Sequence, residues 1–139
     1  MRLNIVHITL ILFLGCSPSI EKEDLQHLNG YWEIEKVEFP NGQTKEYAIS
    51  MTIDYIKLDG MSGFRKKVQP QLNGSYRTSD DAEHFDIIQK NEVFKMVYGL
   101  ETKQREEKVI LIDENSFAVR NQDDKIYIYK RYKPLNLEP

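Results

Sequence analysis

Leu28-Asn29-Gly30-Tyr31-Trp32-Glu33-Ile34-Glu35-Lys36-Val37-Glu38-Phe39 opens the folded part of the chain and carries a contradiction of phase. In an extended chain Trp32 and Ile34 share one face, and Val37 and Phe39 share one face, but the two pairs are out of step by one residue. Strict alternation would push one pair into water. A β-bulge near Glu35-Lys36 restores both pairs to one side, and a bulge also bends its strand, as closing a small barrel requires.

Strand-like segments follow at 51–58, 64–68, 74–78, 84–89, 93–98, 108–112, 116–120 and 125–132, rich in Val, Ile, Phe and Tyr. Asn41-Gly42, Asp59-Gly60, Asn73-Gly74, Asp80-Asp81, Asn91-Glu92, Glu114-Asn115 and Asp123-Asp124 punctuate them with turn chemistry. Short strands at such spacing read as an antiparallel meander, hence a barrel or a sandwich. The last segment favours the barrel. Ile126 and Ile128 face one way while Tyr127, Tyr129 and Arg131 face the other, with no proline and with charges only near the ends. An edge of that kind invites aggregation unless it is paired on both sides, so the first and last strands are expected to pair. The expected fold is all-β: a single antiparallel up-and-down barrel of about eight strands.

Gly30-Tyr31-Trp32, at the end of a short helical turn expected over 25–29, resembles the Gly-x-Trp opening of lipocalins and the small bacterial lipocalin-like domains. That resemblance implies that Trp32 closes one end of the barrel beneath an arginine from the final strand region. Arg131 is the best-placed counterpart, with Arg120 as the alternative. It also implies room for a small apolar ligand in the barrel mouth. The candidate lining residues are Ile53, Tyr55, Phe85, Ile87, Phe94, Met96, Phe117 and Tyr129, each of which reads first as plain core and second as ligand-lining.

Upstream, Arg2 and the terminal amine precede a largely apolar run to Leu14, shorter than the ~20 residues of a membrane span. Leu12-Phe13-Leu14-Gly15-Cys16-Ser17 resembles the lipobox of bacterial lipoproteins, which implies cleavage after Gly15 and lipid on the Cys16 thiol. The alternative is an ordinary secretory signal with Ser17 and Ser19 as its small residues. Cys16 is the single cysteine, at the border between apolar and polar sequence, and so favours the lipobox. The expected layout is a signal peptide over 1–15, a lipidated tether over 16–27, the barrel over 28–133 and a tail over 134–139. Glu21, Glu23 and Asp24 resemble the acidic export tags of surface lipoproteins.

The net charge of −3, from 19 basic and 22 acidic residues, argues against nucleic acid as a partner. Arg65-Lys66-Lys67 reads as a solvated edge. His27 and His84 lack metal-ligand spacing, and no metal or cofactor is expected. Gly60-Met61-Ser62-Gly63 fails the nucleophile-elbow pattern and reads as a flexible loop. Asp80-Asp81 and Asp123-Asp124 are adjacent turn residues, which cannot face each other across a cleft as paired catalytic carboxyls do. The expected function is therefore not enzymatic. It is a binding role for a small apolar ligand, in the cell envelope, periplasmic or on the outer-membrane surface, with the membrane as partner through Cys16. The alternative is an envelope interaction protein whose barrel is filled by side chains.

Overall fold

In the computed structural model, which describes residues 19–99 and 102–134, strands wind into one closed antiparallel barrel. The strands are β1 (Gly30–Glu38), β2 (Thr44–Glu46), β3 (Ile53–Asp59), β4 (Ser62–Pro70), β5 (Tyr76–Thr78), β6 (Glu83–Lys90), β7 (Val93–Tyr98), β8 (Arg105–Ile112), β9 (Ser116–Asn121) and β10 (Ile126–Arg131). The ring runs β1-β3-β4-β6-β7-β8-β9-β10, and β10 returns to β1 with Trp32 opposite Arg131 and Val37 opposite Tyr127. The closure expected from the unguarded last strand is thus present. β2 and β5 are three-residue additions to the upper halves of β1 and β4. β2, Thr-Lys-Glu, is wholly exposed, so it has no apolar alternation by which a sequence would announce it.

The register of β1 against β10 shifts between Ile34 and Lys36, which is the bulge demanded by the phase of Trp32 and Val37. A second shift, between Val109 and Leu111, lets Val109 and Ile112 both stay buried. Two expectations are corrected here. Only Gly60 and Met61 make the turn between β3 and β4; Ser62 and Gly63 already pair with Asp59 and Leu58, so the segment is a tight hairpin and not a flexible loop. The polar stretch before the barrel is also shorter than the tether expected over 16–27. A 3-10 helix, Lys22–Leu28, belongs to the folded unit, with Leu25 and Leu28 fully buried and Ile20 packed against the core. Asp24 Oδ2 accepts from the Glu21 N–H at 2.8 Å, so two of the tag-like acidic residues cap this helix.

That helix seals one end. Trp32 is completely buried there, donates from Nε1 to the Leu28 carbonyl at 2.8 Å, and meets Phe117 edge-on at 4.7 Å. The Arg131 guanidinium lies 3.8 Å from the Trp32 ring centroid. It donates to the carbonyls of Asn29, His27 and Glu114, tying the helix and the β8–β9 turn to the last strand. Gly30 enters β1 at φ +119°, and a Cβ there would collide with Arg131 Nη1. Arg120, the alternative partner, is exposed on β9. The signal-peptide and Cys16 expectations fall in residues 1–18, and most of the tail in 135–139; both lie outside the described residues.

Candidate functional site

Above Trp32 the interior is filled by a column of stacked groups. Phe117 lies parallel to Tyr129 at 4.5 Å and 9°, and the Arg65 guanidinium sits 4.9 Å from the Tyr129 ring. Phe85, Ile87, Phe94 and Met96 pack around this column and are buried core. Among the described residues, the space left inside the barrel lies at its other end, where a cavity of 390 Å³ opens among β4, β6, β8 and the β9–β10 turn. Of the eight lining candidates, only Tyr129 borders it. Ile53 and Tyr55 are corrected outright: they lie on the opposite face of β3 from Asp54, Ile56 and Leu58. Ile53 is buried opposite Val68, and the Tyr55 ring rests 4.8 Å from Tyr31 on the outer wall. Their apolar character suggested an inward face, and the inward position belongs to a charge.

The floor of the cavity is that charge and its partners. Asp54 is 2% exposed, Arg65 8% and Glu107 8%, in a protein interior where unpaired ions are not tolerated. Arg65 Nη2 donates to Asp54 Oδ2 at 3.0 Å and to the Tyr129 hydroxyl at 2.6 Å. Lys67 reaches the other Asp54 oxygen at 2.8 Å, and Arg105 reaches Glu83 at 2.7 Å and Glu107 Oε1 at 3.6 Å. Two buried carboxylate oxygens have no hydrogen-bond partner among the described residues: Asp54 Oδ1, which Lys67 meets as an ion pair only, and Glu107 Oε2, from which Arg65 Nη1 stands 3.8 Å away.

Electrostatics divides the two carboxyls. Burial works against the charge of Asp54, but Arg65 and Lys67 outweigh burial and hold its pKa below the ordinary range. Burial dominates at Glu107, and Arg65 and Arg105 do not offset it, so that carboxyl sits above its ordinary pKa. Burial also opposes the charge of Arg65, yet Tyr129, Asp54 and Tyr98 more than compensate and keep the guanidinium firmly protonated. Burial pushes the Tyr98 and Tyr129 hydroxyls up, so both remain neutral donors at physiological pH.

The rim adds Lys66, Asp81, Asp123, Asn121, Gln122 and the half-buried Tyr127. The Asp81 and Asp123 members of the two acidic turn pairs thus border the cavity. The lining carries five acidic side chains (Asp54, Asp81, Glu83, Glu107, Asp123) against four basic ones (Arg65, Lys66, Lys67, Arg105). Arg65, expected at a solvated basic edge, is instead buried in the floor. Counting back from the Asp59-Ser62 end of the hairpin brings Asp54 opposite Lys67 and diagonal to Arg65, and that pairing was the available signal. His84, by contrast, is exposed, with its ring 6.3 Å from Phe64.

The outer wall carries a second feature. Tyr31 stacks on Tyr76 at 4.2 Å and 7°, Tyr55 and Tyr132 flank them, and all four are half-buried.

No protein-family model and no curated protein matches the chain. Among solved structures, a lipocalin-like protein from Bacteroides uniformis ATCC 8492 is similar at 10% identity and a TM-score of 0.48, covering 76% of this chain and 99% of that one. An uncharacterized protein from Bacteroides eggerthii DSM 20697 gives 11% identity, a TM-score of 0.48 and coverage of 76% and 99%.

Proposed function

We propose that this protein is a non-enzymatic binding protein of the bacterial cell envelope, anchored by lipid on Cys16, that holds a small polar ligand in the mouth of its barrel. The observation that carries the reading is the 390 Å³ cavity floored by Arg65, Asp54 and Glu107 above a packed aromatic column. Its volume falls within the roughly 300–1,000 Å³ of small-molecule sites. The apolar ligand favoured by sequence finds little support in this lining, because an apolar group would strip water from buried charges and return no hydrogen bonds. The half-buried tyrosines of the outer wall favour a second reading, contact with another envelope protein, since Tyr is enriched where proteins meet.

Native mass spectrometry of the full chain, purified from the membranes of its own cells, tests the binding role. A small-molecule mass that travels with the folded protein and leaves on denaturation is the expected result; the bare lipidated chain alone would count against it. The anchor is tested separately by metabolic labelling with a clickable fatty acid. Label is expected on the protein and absent from Cys16→Ala, which should also leave the membrane fraction, because firm anchoring needs more than a weak single contact. Equal labelling of both proteins would remove the lipoprotein assignment.

A further inference from the structure

We infer that the ligand of the barrel mouth is a neutral, polyhydroxylated small molecule of the saccharide class, selected by a floor whose charges are already paired with one another. The inference rests on the binding role proposed above and names the chemistry of the same cavity.

Asp54 holds both Arg65 and Lys67, and Arg105 is shared between Glu83 and Glu107. An anion reaching the floor of the mouth must draw Arg65, Lys67 or Arg105 away from the carboxylate it holds, and a cation must do the reverse. Neither exchange gains a new pair, and each leaves an ion desolvated. The floor therefore provides fixed dipoles and hydrogen-bonding groups whose charges are already engaged, with Lys66, Asp81 and Asp123 at the rim above it. An apolar ligand is disfavoured for the reason already given.

What remains is a ligand that both donates and accepts along its whole surface, and a hydroxyl does this with one donor and two acceptor lone pairs. The unpartnered Glu107 Oε2 calls for a donor, while the neutral Tyr129 hydroxyl and the cationic groups around it serve acceptors. Glu107 and Gln122 border the cavity and each carries a pair of polar atoms suited to vicinal hydroxyls, and the half-buried Tyr127 borders it with an aromatic ring suited to the C–H face of a sugar. Buried polar groups designed to meet hydroxyls also reject analogues that lack them, which is how such a site becomes selective.

The test titrates the full lipidated chain in detergent with neutral mono- and disaccharides, including N-acetylglucosamine, galactose, maltose and cellobiose, by calorimetry. Inorganic phosphate, spermidine and palmitate serve as charged and apolar comparison probes. At least one neutral saccharide is expected to bind; Glu107→Gln is expected to weaken it about tenfold, the loss typical of one hydrogen bond in a charged setting, and Tyr127→Leu, which removes the aromatic wall, is expected to weaken it roughly fivefold. Gln122→Ala, at the exposed rim, gives a variant whose folding is not at stake. Saccharide binding that ignores all three substitutions would place the site elsewhere and overturn the inference. Binding of phosphate, spermidine or palmitate with no saccharide response would overturn the ligand class and leave the binding role standing. Silence from every probe also overturns the class, and the native mass spectrum then decides whether the binding role falls with it.

Discussion

Trp32→Ala is expected to lower the stability of the barrel by ~3–5 kcal/mol, the usual cost of emptying a large buried aromatic site. With a urea slope of roughly 1–3 kcal/mol/M, the denaturation midpoint should fall by about 1 M or more. Three losses combine. The indole is fully buried against Phe117 and the leucines of the 3-10 helix, so its removal opens a cavity. Its Nε1–H satisfies the Leu28 carbonyl, which would be left without that donor at the barrel end. Arg131 would lose the ring on which it rests, at 3.8 Å, a contact contributing ~0.5–2 kcal/mol depending on desolvation. Trp32→Phe keeps an aromatic body and removes the Nε1 donor, so it should fall between the two. A midpoint that does not move in Trp32→Ala would mean that this end of the barrel is not held by the tryptophan at all.

The same residue shows what was legible in the sequence. Hydrophobic phase in β1 located the bulge, and the unguarded Ile126–Tyr129 stretch required closure onto β1; both follow from a period of two and an intolerance of bare edges, which any single sequence expresses. The inner lining is less legible because apolarity does not by itself mark an inward side chain. In β3 the inward set is Asp54, Ile56 and Leu58, and the outward set includes Ile53 and Tyr55, buried or half-buried by the elements covering the wall. Where both faces of a strand are covered, composition alone cannot choose the face. Arg65 hid for a related reason. Beside Lys66 and Lys67 it looked like part of a charged run, although alternation turns it toward Asp54 and Tyr129. A charge buried with its partner is visible only after the hairpin register is fixed, and the Gly60-Met61 turn is what fixes it.

Arg65→Met is the substitution expected to test that buried cluster most directly. Methionine keeps much of the aliphatic stem and removes the charge, leaving Asp54 and Glu107 buried without their central cation. Breaking a buried pair from one side typically costs ~3–5 kcal/mol, because the surviving ion is stranded. Lys67 still reaches Asp54, but its own side chain is largely exposed and offers the weaker, solvent-screened half of the pairing.

The dependence on pH separates this mechanism from simple loss of packing. In the wild type, Asp54 has a depressed pKa, so its contribution is present above the ordinary carboxylate range and is lost as pH falls through the depressed value. Glu107 has the opposite sign: its raised pKa means that ionisation costs stability, and protonation on acidification returns it. Removing Arg65 takes away the principal attraction that lowers the pKa of Asp54 and one of those that restrain Glu107. Both carboxyls then titrate upward, and the folded variant regains stability as each takes up a proton. The stability gap between wild type and variant should accordingly be widest near pH 7.5 and narrow toward about pH 5, approaching the unperturbed carboxylate range of roughly 3.9–4.3. Urea unfolding at the two pH values measures it. A gap that stays constant, or widens on acidification, would show that Arg65 acts through its stem alone and that Asp54 and Glu107 do not depend on its charge.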